Sequence, residues 1–125
     1  MRSALVKGCL LLALICVAAQ VPAWAQDPAK VAPESYKCIF ENERVRVCEV
    51  TVKPGASVAT HSHPDHFVYV IAGGTGKITP EGGEAQPIEF KAGQVTWMKA
   101  VTHSAVNTGT TELRLLVTEL KPPAK

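Results

Sequence analysis

From Tyr36 to Lys121 the chain never travels far without a turn signal, and this most constrains its fold. The turns read "KPGA", "AGGTG", "PEGGEA", "KAGQ" and "NTGTT". Glycine, proline and asparagine at those points supply backbone angles that regular structure excludes. Between them lie short runs rich in β-branched and aromatic residues: "YKCIF", "RVRVCEVTV", "HFVYVIA", "GKIT", "PIEF", "QVTWM" and "ELRLLVTEL". These are strand signatures, and no helical periodicity follows residue 25. Turns about ten residues apart predict an all-β sandwich or barrel. The 125 residues support one domain, whose single small core leaves room for a site inside the sandwich or at a subunit interface.

One run changes phase. Val45 and Val47 share one face and Val50 and Val52 the other, which predicts a bend or bulge near Cys48 and Glu49. "LRLLVTEL" is nearly continuously apolar, as expected of an interior strand. Residues 26–35 are polar and contain proline, and read as a flexible lead-in. The folded domain is expected over 36–121.

The first 25 residues read as a signal peptide. Arg2 and Lys7 precede the apolar run "CLLLALICVAA", residues 9–19, and "AWA" at 23–25 offers small residues around Trp24. The run is shorter than the roughly 20 residues a membrane span requires. Ile15 before Cys16 argues against a lipoprotein site. Cleavage after Ala25 implies a periplasmic or secreted protein with no membrane association once the signal is removed. Losing Arg2 and Lys7 from the 13 Lys+Arg leaves them equal in number to the 11 Asp+Glu. A neutral chain without a basic patch excludes nucleic acid as the expected partner. Cys9 and Cys16 leave with the signal. Cys38 and Cys48 flank the turn "ENER", so either a cross-strand disulfide, permitted in an oxidising compartment, or two small buried thiols fits.

The chain has four histidines, and three fall within "HSHPDH", residues 61–66. On a strand His61 and His63 point to one face. Pro64 and Asp65 break the strand, and His66 restarts it with Val68, Val70 and Ala72 on its face. His103 opens another strand, giving H-x-H-x2-H-x36-H. Several unpaired imidazoles inside a small β-domain would cost several kcal/mol, and a shared cation removes that cost. His61, His63, His66 and His103 are therefore the candidate metal ligands.

These residues carry a resemblance to the cupin superfamily, small single-domain members in particular. Gly55, five residues, His61, Ser62 and His63 match the opening of its first motif. Gly93 and "HSAVN", with His103 and Asn107, match parts of its second. The resemblance spans roughly residues 40–120 and implies a double-stranded β-helix, a cupin jelly-roll barrel. The glutamate of the first motif is absent. Its position falls on Phe67, or on His66 with a spacer one residue shorter. Gly73 suits the His66 alignment and Gly74 the other, so chemistry and strand alternation select His66, with Asp65 as the fallback. Met98 and Ala100 replace the proline and glycine of the second motif, and Gly93 lies one residue closer than usual.

An all-histidine set favours one divalent transition metal ion, namely iron, copper, nickel or zinc. Four neutral ligands leave the cation's charge uncompensated. That should draw an anionic or enolate-like oxygen and lower the pKa of bound water. Trp97 and Tyr69 read as core or interface residues, Gly55, Gly73 and Gly93 as turn residues, and Asn107 as a hydrogen-bonding partner of a turn. Arg44, Arg46 and Arg114 lie on strands whose facing the sequence leaves open. Catalytic residues are unassigned, since no Ser-His-Asp or Cys-His arrangement stands out. Two functions compete. One is a dioxygenase-like oxidoreductase acting on a small organic substrate. The other is a non-catalytic periplasmic metal or small-ligand binder. The resemblance also implies a homodimer.

Overall fold

The computed structural model describes residues 26–123. The signal peptide expected over residues 1–25 lies outside the described residues. Nine strands follow one short helix, α1 (Pro28–Val31): β1 (Tyr36–Glu41), β2 (Val45–Val52), β3 (Ser57–His63), β4 (His66–Ala72), β5 (Gly74–Pro80), β6 (Gln86–Phe90), β7 (Val95–Met98), β8 (Val101–Asn107) and β9 (Leu113–Leu120). All ladders are antiparallel. They form a five-stranded sheet ordered β1-β2-β9-β4-β7 and a four-stranded sheet ordered β3-β8-β5-β6. From β2 onward the chain passes repeatedly from one sheet to the other, which winds it into a rolled, double-stranded β-helix. Every expected strand run has its counterpart. β3 and β8, which hold His61, His63 and His103, were legible only through those histidines, because "SVATHSH" and "VTHSAVN" carry too many polar residues to read as strands.

The core lies between the sheets. Val50, Val52, Val68, Val70, Leu113, Leu115 and Val117 from the large sheet meet Val58 from the small one. Burying each such side chain contributes about 1.5–3 kcal/mol. The inner face of the large sheet is layered by register. Val52 pairs with Leu113. Val50 and Val70 flank Leu115, and Cys48 and Val68 flank Val117. Arg46 and His66 flank Glu119, and Met98 lies beyond His66.

This register corrects the expected bulge in β2. The β2–β9 ladder is regular from Val45 to Val52. Val45 and Val47 simply share the outward parity, and the inward position between them belongs to a charged residue, Arg46. The irregularity sits in the partner strand, between Cys38 and Phe40 of β1. Cys38 and Cys48 are joined by a disulfide across this hairpin, and Asn42 Oδ1 closes its turn by accepting from the amides of Arg44 and Val45.

Residues 26–35, expected as a flexible lead-in, carry α1 instead. Asp27 caps the helix by accepting from the Ala29 amide at 3.0 Å. Ala32 is wholly buried in the core cluster, so the segment is held by apolar contact as well as by hydrogen bonds. Gly73, expected at a turn, has a packing reason: a Cβ there would meet the Phe90 carbonyl oxygen at 2.2 Å. Gly55 and Gly93 adopt positive φ of 76° and 83° at turns, as a residue without Cβ can.

Candidate metal centre

His61 and His63 point inward because β3 alternates, and they are 1% and 5% exposed. His103 lies directly across the ladder from His61, so β8 delivers the distant histidine to the same face. His66 opens β4 on the opposite sheet, and its ring centroid lies 4.6 Å from that of His63. One nitrogen each from His61, His63 and His103 lies within 4.8 Å of the others, a group that could hold a metal ion. His66 stands beside this trio rather than within that 4.8 Å group. Phe67, the alternative to His66 in the motif alignment, faces outward and is 41% exposed. Asp65 is exposed and accepts from the Ala100 amide at 2.8 Å, tying a turn rather than joining the cluster.

The ring tautomers follow from the hydrogen bonds. A carbonyl or carboxylate oxygen can only accept, so a ring nitrogen bonded to one carries the proton. His61 Nδ1 donates to the Ala59 carbonyl, and His66 Nδ1 to the Pro64 carbonyl, both at 2.7 Å. His63 Nδ1 donates to Glu119 Oε1, also at 2.7 Å. Each of these rings, when neutral, therefore turns an Nε2 lone pair to the interior, that of His61 facing the Tyr36 hydroxyl and His103 Nε2. His103 differs. Its Nε2 lies 3.2 Å from His61 Nε2, while its Nδ1 is buried without a partner. A buried polar atom without a partner costs about 1–3 kcal/mol. An ion accepting lone pairs from these rings would relieve the crowding of nitrogens, so the donor set fits a borderline transition metal.

Burial pushes the His61 imidazole down to about 4, with its histidine neighbours adding to the effect. Burial, then the three neighbouring imidazoles, pushes His103 down to about 3. Burial lowers His66 as well. Neutral imidazoles are the form a metal requires.

Three functional residues escaped the sequence reading. Glu119 is 3% exposed, bonded on one side to His63 and on the other to Arg46, whose Nε and Nη2 reach Oε2 at 2.8 and 2.7 Å. Burial raises its carboxyl, but the His63 hydrogen bond and Arg46 outweigh this and hold it low. A carboxylate, itself paired with Arg46, thus lies one imidazole away from the ring cluster. Tyr36 places its hydroxyl 3.3 Å from His61 Nε2. Burial, assisted by Glu119, pushes the phenol up, so it stays protonated and donates. Arg46 is the third. Strand parity would have found Glu119, since Leu113, Leu115, Val117 and Glu119 alternate. No local signal marks Tyr36.

Beneath the histidines lies a chamber of about 210 Å³, walled chiefly by aliphatic side chains such as Val50, Val58, Val70 and Leu115, with His63, His66 and His103 at its polar end. Asn107 bonds the carbonyls of Val52 and Thr111 and accepts from the Gly109 amide, pinning a turn as expected. Trp97 and Tyr69 lie on the outer face of the large sheet, 45% and 43% exposed.

A rolled β-barrel with histidines converging from facing strands defines a class, and sequence comparison names it. The family described as "Cupin domain" matches residues 48–119, more than half of the chain, so the protein belongs to the cupin domain family. No curated protein sequence matches it. Among solved structures, a cupin domain from Bordetella pertussis Tohama I is similar, at 25% identity and a TM-score of 0.65, over 70% of this chain and 92% of that one. A cupin superfamily protein from Desulfitobacterium hafniense shares the fold at 19% identity and a TM-score of 0.55, over 70% and 76% of the two chains. So does an RmlC-like cupin family protein with a double-stranded β-helix fold from Methanocaldococcus jannaschii, at 16% identity and a TM-score of 0.56, over 68% and 77%.

Proposed function

We propose that this cupin is an exported mononuclear metal protein, holding one divalent ion of iron, copper, nickel or zinc through His61, His63 and His103, with His66 as fourth ligand. The observation that carries this reading is the tautomer set: three rings anchored through Nδ1 leave Nε2 lone pairs beside a fourth ring with an orphaned nitrogen. A bound ion of this kind supplies Lewis acidity and, except for zinc, redox chemistry. The aliphatic chamber adjoining the rings supports an oxidoreductase role, dioxygenase-like, on a small organic substrate. It is below the roughly 300–1,000 Å³ of drug-sized pockets, so the substrate is small. Its aliphatic walls suit an apolar substrate body, and Tyr36 offers a hydroxyl donor beside the rings.

The second reading is a non-catalytic binder of metal or a small ligand. It is favoured by the placing of the carboxylates: Glu119 is engaged on both sides by His63 and Arg46, and Glu89 of the chamber wall is exposed beside Lys91. Elemental analysis of the natively exported protein, followed by oxygen uptake with diketone, flavonol and thiol substrates, tests both. About one equivalent of metal with turnover is expected. A tightly held metal without turnover selects the metal binder, and absence of metal ends the oxidoreductase and leaves only the small-ligand binder.

Homodimerisation is also part of the proposal. Phe67, Tyr69 and Ile71 of β4 and Val95 and Trp97 of β7 expose a contiguous apolar face of the large sheet. Such a face on a small protein marks an interaction site. Sedimentation of the mature chain should give twice the monomer mass.

A further inference from the structure

A row of hydrogen-bonded charges leads out of the metal centre to the start of the described chain. His63 Nδ1 donates to Glu119 Oε1, Arg46 clamps Glu119 Oε2, and Arg46 Nη1 reaches Asp27 Oδ2 at 2.8 Å. Side-chain exposure is 15% at Asp27 and 18% at Arg46 at the outer end of the row, against 4% at Glu119 and 2% at His63 at the inner end. Asp27 uses its other oxygen to cap α1. The same segment touches the centre twice more. Gln26 Oε1 accepts from the hydroxyl of Ser62, the residue between His61 and His63. Tyr36, where the segment enters β1, reaches His61. Ala32, wholly buried, anchors the stretch between them.

We infer that residues 26–36 are a built-in part of the metal centre, with Asp27, acting through Arg46 and Glu119, a positioning residue for His63. The physical reason is geometric. A ligating imidazole needs its second nitrogen committed, so that ring orientation and tautomer are set before the ion arrives. Glu119 provides that partner, but a carboxylate on the last strand can rotate. Arg46 stops the rotation with its planar fork. Arg46 in turn is a long side chain with large rotamer freedom. Asp27 occupies the remaining arm of the guanidinium and fixes it. The segment directly following the expected cleavage point would thus decide how well the centre binds its metal. This inference rests on the metal reading above.

Cobalt(II) and zinc(II) serve as probes on the full mature chain, with affinity from competition titration and the visible spectrum of the cobalt form as a report on ligand geometry. Loss of the direct partner, Glu119→Ala, should weaken binding by roughly 10–100-fold. Asp27→Asn should weaken it by about 3–10-fold, the low side of that range, and alter the cobalt bands. Asp27→Glu should restore both. In an Arg46→Met background Asp27→Asn should add nothing further, because the path is already cut. A merely structural Asp27 would give the same loss in both backgrounds, or would lower thermal stability with unchanged cobalt bands. Either result overturns the inference, as does unaltered affinity in Asp27→Asn. If the unsubstituted chain binds neither ion, the metal reading itself fails and takes the inference with it. If the unsubstituted chain binds and Asp27→Asn binds equally well, only the inference fails.

Discussion

The inner face of the large sheet is built twice over, in two chemistries. Three of its cross-strand layers, running from Cys48 and Val117 to Val52 and Leu113, are almost wholly apolar. The layer at its end sets Arg46, Glu119 and His66 side by side on β2, β9 and β4. Both are buried by the same backbone with the same parity, yet they are held differently. The aliphatic layers gain from leaving water, in proportion to the area removed. The charged layer loses by leaving water and stands only because each member is paired with the next. One region can therefore be changed in parts, while the other answers as a unit.

The largest expected effect falls on the trio of imidazoles. His103→Ala should abolish metal content in the purified protein, read by elemental analysis, with native far-ultraviolet circular dichroism. Retention of a full equivalent would show that His103 is not a ligand. Next comes the charged layer. Glu119→Leu leaves the buried His63 Nδ1 without its acceptor and the half-buried Arg46 with Asp27 alone, and should cost about 3–5 kcal/mol of unfolding free energy in the metal-free protein. Arg46→Met combined with Glu119→Leu should recover part of that loss, because an apolar pair replaces the ions while His63 Nδ1 stays without an acceptor. Denaturant melts of the three chains measure the difference. Additive losses would erase the contrast between the layers.

Leu115→Ala, in the centre of the aliphatic region, should cost about 2–5 kcal/mol. Unlike Glu119→Leu, it should leave metal affinity per folded molecule unchanged. The smallest effect concerns pH. His61 and His103 titrate near 4 and 3 in the fold, below the 6.5 of the unfolded chain. Between those values the unfolded chain binds more protons, so unfolding free energy rises with pH. The stabilisation is complete above about pH 6.5 and is lost as the pH falls toward the folded values. Melting of the metal-free protein should drop by roughly 5–10 °C between pH 7 and 6. A Leu115→Ala chain should show the same slope, and His103→Ala a shallower one.

Most of the strand pattern was legible because β-branched runs and glycine-rich turns report backbone preference locally. "HFVYVIA" gave β4 at its observed bounds, and the parity of His66 with Val68 and Val70 put it inward. The pairing of His61 with His103 was legible from spacing plus resemblance to the family. Glu119 was within reach of strand parity with Leu113, Leu115 and Val117, but a lone carboxylate in "LRLLVTEL" looks like a surface interruption until a partner appears. The facing of Arg46 stayed open for the same reason: the valines on either side of it suggested a strand disturbed near Cys48 and Glu49, whereas the charged residue between them was the inward one. The helix at Pro28–Val31 was missed because four residues are too few to show a period.

By itself, the sequence determined an all-β sandwich or barrel, because alternation and turn chemistry are properties of neighbouring residues, while the cupin roll and the gathering of its histidines followed from the resemblance of its motifs. Only the tertiary structure decided that a carboxylate from the last strand, an arginine from the second and an aspartate ahead of the first complete that end. Their partnership depends on register across three strands and a helix. A buried charge has no local preference for where its partner lies, only a large penalty for lacking one.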